Sequence, residues 1–144
     1  MAVTAHSEIE IAAAPHEVME AIADVEALPT WSSAHKSVTV EDRYDDGRPR
    51  TVRSTMSVVG ITDEQVAVYT WDGDESVSWQ VVESTQQKTQ EGRYVLESVG
   101  AGTRAVFDLS VEPKIAIPGF LVKKAQKSGV EAATKGLKKF VEKG

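Results

Sequence analysis

The chain of 144 residues contains no cysteine. This absence excludes disulfide bridges, thiolate-ligated zinc or iron–sulfur sites, and cysteine nucleophiles. No apolar run approaches the roughly 20 residues that a membrane-spanning helix needs. Glu8 and Glu10 stand near the amino terminus, where a secretory signal has a basic segment followed by an apolar one. We therefore expect a cytoplasmic protein.

Basic residues are also fewer than acidic ones. The chain has 16 lysines and arginines against 22 acidic residues, a net charge of −6, which argues against nucleic-acid binding. The charge is uneven, because residues 114–144 carry +6 and the preceding residues carry −12. The lysines of this segment are typical of a solvated helix face packed against an acidic body. The alternative is weak contact with anionic lipid or an acidic partner.

Recognisable catalytic and metal-binding patterns are absent from the sequence. His6, His16 and His35 lack the spacing of metal ligands. There is no G-x-S-x-G motif, and the adjacent acidic pairs fall in predicted turns. We therefore expect no catalytic residue, no metal and no cofactor.

What is present is the composition of an ordinary globular domain, with 41% apolar and 26% charged residues. Periodicity predicts one α+β domain over residues 1–144. Residues 5–11 alternate as in a half-buried strand. Pro15 fits the first turn of a helix, and a second turn over residues 25–28 is ended by Pro29, with Trp31 in the loop that follows. Six antiparallel strands are predicted next, roughly over 36–42, 48–59, 62–71, 75–83, 86–98 and 103–112.

After Pro118 the period changes to 3.6, which predicts one long helix over Gly119–Glu142. One face of this helix has small residues at its centre, among them Ala125, Gly129 and Gly136. Each glycine inside a helix costs roughly 0.5–1 kcal/mol relative to alanine, so something should require the missing side chains. Either the helix backbone lies close against the sheet, or the small residues leave a cavity.

This order of elements describes a curved sheet gripping one helix. The segments that carry a family resemblance are Ile9-Glu10-Ile11 with Ala14-Pro15 and Val18, Asp24-Val25 with Leu28-Pro29 and Trp31, Ser76-Val77-Ser78-Trp79, Gly92-Arg93-Tyr94-Val95-Leu96-Glu97, Gly102-Thr103-Arg104, and Pro118-Gly119-Phe120 leading to Gly136-Leu137-Lys138. With these segments in this order, the chain resembles the START-like or Bet v 1-like (SRPBCC) superfamily, which has the helix-grip fold. Within it, the chain is similar to the polyketide cyclase/dehydrase and lipid-transport group, which includes coenzyme Q-binding START-type proteins.

The resemblance implies a largely apolar cavity between the sheet and the C-terminal helix, holding a lipid, an isoprenoid quinone or a polyketide-like molecule. The apolar face of each strand supplies its wall, although the strand over 62–71 can turn either Val66 and Val68 or Tyr69 and Trp71 inward. For each aromatic residue the alternative is ordinary core packing. The predicted cavity-lining residues are Met56, Trp71, Trp79, Tyr94, Phe107, Phe120, Leu121, Ala125 and Gly129.

Cyclases and aromatases of this family direct ring closure with a cavity arginine. By strand alternation, Arg53, Arg93 and Arg104 point outward, so the predicted wall lacks that group. We therefore expect a protein that binds or carries a hydrophobic small molecule rather than an enzyme. The alternatives are a polyketide cyclase/dehydrase-type enzyme and a non-catalytic protein-interaction module.

Overall fold

The computed structural model of the chain describes residues 3–58, 60–114 and 117–143. Its antiparallel strands form one curved sheet in the order β1-β7-β6-β5-β4-β3-β2. The predicted strands are confirmed to within a few residues, and residue 59, predicted to end one of them, lies outside the described residues. The strands are β1 (Val3–Ile11), β2 (His35–Arg43), β3 (Pro49–Val58), β4 (Ile61–Asp72), β5 (Ser76–Ser84), β6 (Gln87–Val99) and β7 (Gly102–Pro113).

Short helical segments connect β1 to β2. They are α1 (Pro15–Ala23), a 3₁₀ turn (Val25–Ala27) and α2 (Leu28–Trp31). Pro15 lies in the first turn of α1, as predicted. The prediction that Pro29 ends the second turn is wrong, because Pro29 lies in the first turn of α2, where its missing N–H breaks no helical hydrogen bond. Trp31 is therefore the last residue of α2.

The predicted long C-terminal helix, α3, is confirmed. It runs through Gly119–Glu131, a π-helical segment (Ala132–Gly136) and Leu137–Lys143. With the curved sheet it forms the expected helix-grip arrangement. None of the described helices is both long enough and apolar enough to span a membrane.

Cross-strand pairing decides which side chains face α3. Tyr69 is paired with Trp79, and Trp71 with Val77. Because directly paired residues share one face of the sheet, Tyr69 and Trp71 lie on the inner face of β4. The choice that the sequence left open at this strand is therefore settled in favour of the aromatic face.

The packed core lies where α1 and the C-terminal part of α3 meet the sheet. The segment Gly119–Glu131 contributes no residue to it that counts as buried. Burying a large aliphatic side chain contributes about 1.5–3 kcal/mol, so stability is concentrated at this end of α3. The buried cluster consists of Ile11, Val18, Met19, Ile22, Val77, Tyr94, Leu96, Ala105, Phe107 and Leu137.

The end of α3 is also attached to β1 by polar contacts. Lys138 donates to the carbonyl of Glu10 at 2.9 Å and pairs with Glu142 at 2.5 Å. Glu142 also accepts from the backbone N–H of Ala12, and the ammonium of Lys138 lowers the pKa of this carboxyl. Other lysines of α3 are exposed, and their contact with anionic lipid or an acidic partner stays a prediction.

Candidate functional site

A cavity lies between the inner face of the sheet and α3, and it has two adjoining chambers. Their volumes are about 110 Å³ and 170 Å³. We call the first the aromatic chamber, because Trp31, Tyr69, Trp79, Tyr94 and Phe107 line it. The second is the aliphatic chamber, whose wall includes Ile61, Val111, Ile117, Leu121 and Val122. The residues that line both are Ala34, Met56, Gln90, Leu109 and Gly129.

Neighbouring strands build one continuous aromatic wall. The ring centroid of Trp79 lies 5.5 Å from that of Tyr69, 5.7 Å from that of Tyr94 and 6.0 Å from that of Phe107. The indole of Trp79 lies across Gly92, its partner on β6, where an added Cβ would be 2.1 Å from the ring. Glycine at this position therefore lets the indole lie flat on the sheet.

The hydroxyl of Tyr94 connects the sheet to α3. It donates to the carbonyl of Ala133, in the π-helical segment, at 2.8 Å. A buried phenol needs a polar partner, and here the protein supplies it. Burial also raises the pKa of Tyr94, so the phenol stays protonated. This hydroxyl proton is engaged by the protein and is not available to donate to a ligand.

The aromatic chamber also contains a partly buried histidine, which lies just before the strand predicted over residues 36–42. His35 Nδ1 lies 2.7 Å from Ser32 Oγ, and both residues line the chamber. Burial lowers the pKa of His35 to about 4, so the imidazole is neutral near pH 7. The prediction missed it because β2 has a register shift between His35 and Ser37. Strict alternation puts His35 on the face opposite Val38, whereas both line the chamber.

The carboxylate of the aliphatic chamber, Asp63, is fully engaged in holding the sheet together. It accepts from Ser84 Oγ at 2.8 Å and from the backbone N–H of Thr85 at 2.9 Å. Gln86 and Gln87 donate to it as well. No lysine or arginine occurs among the described residues that line either chamber. The cavity wall is therefore mostly apolar, with uncharged polar side chains among its residues, and carries little free charge.

The structure brings most of the predicted cavity residues together. Trp79, Tyr94 and Phe107 line the aromatic chamber, Leu121 and Ala125 line the aliphatic chamber, and Met56 and Gly129 line both. Contact of these side chains with a ligand stays a prediction.

Trp71 and Phe120 are not among the residues that line either chamber. Trp71 shares the inner face of β4, but it stacks on Tyr69 and its indole N–H donates to the carbonyl of Pro49 at 2.7 Å. Phe120, in the first turn of α3, is 71% exposed. Strand alternation and segment ends alone do not show how far along an element the cavity extends.

The strand arginines behave as alternation predicted. Arg53 is paired with Glu41 at 3.2 Å on the exposed surface, and Arg93 is exposed. Arg104 lies 3.6 Å from Glu10 across the outer face of the sheet. The described part of the chain therefore directs these cations away from the cavity.

Outside the cavity, His16, Glu20 and Asp74 lie close enough together to be considered as metal ligands. The guanidinium of Arg48 already bonds Glu20 at 3.1 Å and Asp74 at 2.8 Å. His16 bonds the same Asp74 at 3.0 Å. This group is accounted for as an ion-pair network around Arg48.

Comparison with known proteins places this architecture in a family. The family described as "Polyketide cyclase / dehydrase and lipid transport" matches residues 2–143. No curated protein matches the chain in sequence.

Solved structures share the whole fold. One is a START superfamily protein from Mycobacterium smegmatis, with 26% identity over 97% of each chain and a TM-score of 0.87. A protein from Thermus thermophilus is 27% identical over 98% of each chain, with a TM-score of 0.86. The Zhui aromatase/cyclase from a Streptomyces species has the same TM-score of 0.86 at 13% identity, over 99% of this chain and 95% of that one. At this identity the last likeness shows the fold alone.

Proposed function

Because the chain belongs to the polyketide cyclase/dehydrase and lipid transport family, we propose that it binds or carries a hydrophobic small molecule without changing it chemically. The cavity between the sheet and α3 is the binding site. The observation that carries the proposal is the aromatic wall around Trp79, joined to a second apolar chamber and free of lysine and arginine among its described residues.

The shape of the cavity supports a ligand with a ring and an aliphatic part. Flat rings gain broad apolar contact with the faces and edges of aromatic side chains, so the ring belongs in the aromatic chamber. An alkyl or isoprenoid substituent belongs in the aliphatic chamber, which continues from it past Met56 and Gly129. Volumes of about 110 and 170 Å³ fit a compact molecule better than a lipid with two acyl chains.

Ring-closing catalysis is the second candidate, and His35 is the observation that favours it. Its neutral imidazole lines the chamber and could exchange a proton with a bound ketone. The pKa of about 4 makes His35 a weak base near pH 7, however. The described wall also has no cation to hold a chain of enolised ketones. Binding without catalysis therefore fits the site better, and His35→Asn separates the two functions, since only catalysis requires the imidazole.

Tryptophan fluorescence tests the binding proposal directly. Wild-type protein is titrated with a menaquinone analogue, a fatty acid and a flat polyphenol. We expect saturable quenching by at least one of them, since Trp31 and Trp79 both line the aromatic chamber. The quenching should be reduced in Trp79→Leu, where Trp31 is the remaining tryptophan of the lining, and kept in full in Trp71→Leu, the matched control, because Trp71 lies outside the lining.

Native mass spectrometry of gently purified protein, followed by extraction, identifies any molecule that is already bound. If the protein is free of bound lipid and none of the three compounds gives saturable quenching, the binding proposal is wrong. A co-purifying protein in that case supports the protein-interaction alternative.

A further inference from the structure

A buried amide in the aromatic chamber has an oxygen with no hydrogen-bond partner. Gln65, on β4, is 6% exposed and lines this chamber. Its side-chain oxygen Oε1 is buried and accepts no hydrogen bond from the described part of the chain. An unpaired buried carbonyl oxygen loses its hydration without compensation, so such atoms are uncommon in folded proteins.

Other polar side chains of the same wall surround this amide. Ser54, on β3, is directly paired with Gln65 and is 8% exposed. Side chains that oppose each other in this way have Cβ atoms about 4.5–5.5 Å apart. Gln90, on β6, is also 8% exposed and lines both chambers. Ser54, Gln65 and Gln90 therefore give an apolar chamber a polar patch.

A second unpaired atom at this chamber has the opposite hydrogen-bonding role. The indole Nε1 of Trp31 is a buried donor with no partner among the described residues. An ether, an ester or a quinone carbonyl could accept from Trp31, but it offers no hydrogen to Gln65. A hydroxyl group offers both a donor and an acceptor.

We propose that Gln65 is a specificity-determining residue that selects ligands with a hydroxyl or N–H group on a compact ring. Its Oε1 accepts a hydrogen bond from that group, which restores the partner that burial removes. The protein then prefers a hydroxylated or reduced ring over the corresponding ether or quinone. This inference rests on the proposed function, since it assumes that the ring occupies the aromatic chamber.

A pair of small probes tests the inference by calorimetric titration. 2-Naphthol has a hydroxyl donor, and 2-methoxynaphthalene has the same ring and oxygen without the hydrogen. We expect wild-type protein to bind 2-naphthol about tenfold more tightly, as for a site in which the wrong ligand leaves a buried polar group unpaired. In Gln65→Met, which keeps the side-chain length but removes the acceptor, this ratio should fall severalfold.

The change in the ratio of the two binding affinities between wild-type protein and Gln65→Met isolates the hydrogen bond. Any cost of fitting the extra methyl group of 2-methoxynaphthalene is present in both proteins and cancels. Gln80→Met is the matched control, since it removes an exposed amide that lines neither chamber, and it should keep the wild-type ratio. Gln65→Leu replaces Gln65→Met if the latter does not fold. The melting temperature of either Gln65 variant without ligand should not fall by more than a few degrees, since an unpaired oxygen is removed.

The possible failures are distinguishable. If both probes bind wild-type protein equally, or if the ratio is unchanged in Gln65→Met and Gln65→Leu, the inference about Gln65 is overturned while the binding proposal stands. If neither probe binds wild-type protein, the inference about Gln65 is overturned, and if the menaquinone analogue, fatty acid and polyphenol also fail, the binding proposal is overturned with it.

Discussion

Two glycines of α3 have opposite surroundings. At Gly136, an added Cβ would lie 2.7 Å from the carbonyl oxygen of Trp31 and 3.2 Å from its ring. At Gly129, an added Cβ would meet nothing within 4 Å, and the residue lines both chambers. Of the two explanations that the sequence allowed for the small residues, a cavity fits Gly129, whereas Gly136 is in close contact with another element. The close contact is with α2 rather than with the sheet.

The rest of α3 shows the same contrast between a tightly packed end and an end that borders the cavity. Near Gly136, Leu137 is fully buried, and Phe140 stacks on Trp31 with ring centroids 5.8 Å apart. Near Gly129, the segment Gly119–Glu131 has no residue that counts as buried. The comparison teaches that one helix holds the fold together at its C-terminal end and borders a cavity at its N-terminal end.

The largest expected difference is between two leucines of α3. Leu137→Ala should destabilise the protein by about 2–5 kcal/mol, because it opens a hole in the packed core. Leu121→Ala should cost less than about 1 kcal/mol, since Leu121 already borders empty space. Urea unfolding of both variants measures the difference. Equal losses of stability would show that the two ends of α3 do not differ as described.

Acid should destabilise the cavity end through His35. Burial lowers its pKa to about 4 in the folded protein, against 6.5 for the exposed side chain. The unfolded chain therefore takes up a proton first, and stability is lost as the pH falls from about 6.5 towards 4, by up to about 3 kcal/mol. His35→Asn cannot titrate, so its unfolding free energy should change less over this range. Parallel pH profiles for the two proteins would contradict this prediction.

Replacing each of the two glycines by alanine should change the stability of the protein in opposite directions. Gly136→Ala should destabilise the protein by about 1–3 kcal/mol, because the facing atom is a backbone oxygen that cannot turn away. Gly129→Ala should stabilise it by roughly 0.5–1 kcal/mol, since it gains helix propensity in open space. Thermal unfolding measures both changes. If they have the same sign, the contrast between close contact and cavity is wrong.

A single hydrogen bond, from Tyr94 to Ala133, should have a small effect on stability. Tyr94→Phe should cost about 1 kcal/mol, because it removes the donor and keeps the ring contacts. Tyr69→Phe is the matched control, since its hydroxyl donates no hydrogen bond within the described part of the chain, and it should be nearly neutral. Chemical denaturation of both variants makes the comparison. A greater loss of stability in Tyr69→Phe than in Tyr94→Phe would contradict the role of Tyr94 in holding α3 to the sheet.

Most of the fold could be predicted because its signals are local. Alternation identified the strands, the change of period after Pro118 identified α3, and parity directed Arg53 and Arg104 outward. For the strand over 62–71 alternation left the inner face open, and Trp71 was predicted to line the cavity because aromatic residues suit such a wall. Strand alternation shows on which face of the sheet a residue lies. Whether that residue reaches the cavity depends on where the helix crosses the face.

The polar residues of the cavity were harder to find. Gln65 has the same parity as Tyr69 and Trp71, so alternation could have placed it on the inner face. Gln65 is nevertheless absent from the predicted wall, because that wall was built from the apolar face of each strand. His35 could not be found in this way, since the register shift in β2 resets the alternation.

The sequence by itself determined the order of the elements, the inner and outer faces of most strands, and the resemblance to a family with an apolar cavity. Only the tertiary structure decided that Gly136 lies against Trp31, that Gly129 borders open space, and that Tyr94 donates to Ala133. The physical reason is the range of the interactions. Periodicity and turn chemistry act between neighbours in the chain, whereas cavities and buried hydrogen bonds arise where distant segments meet.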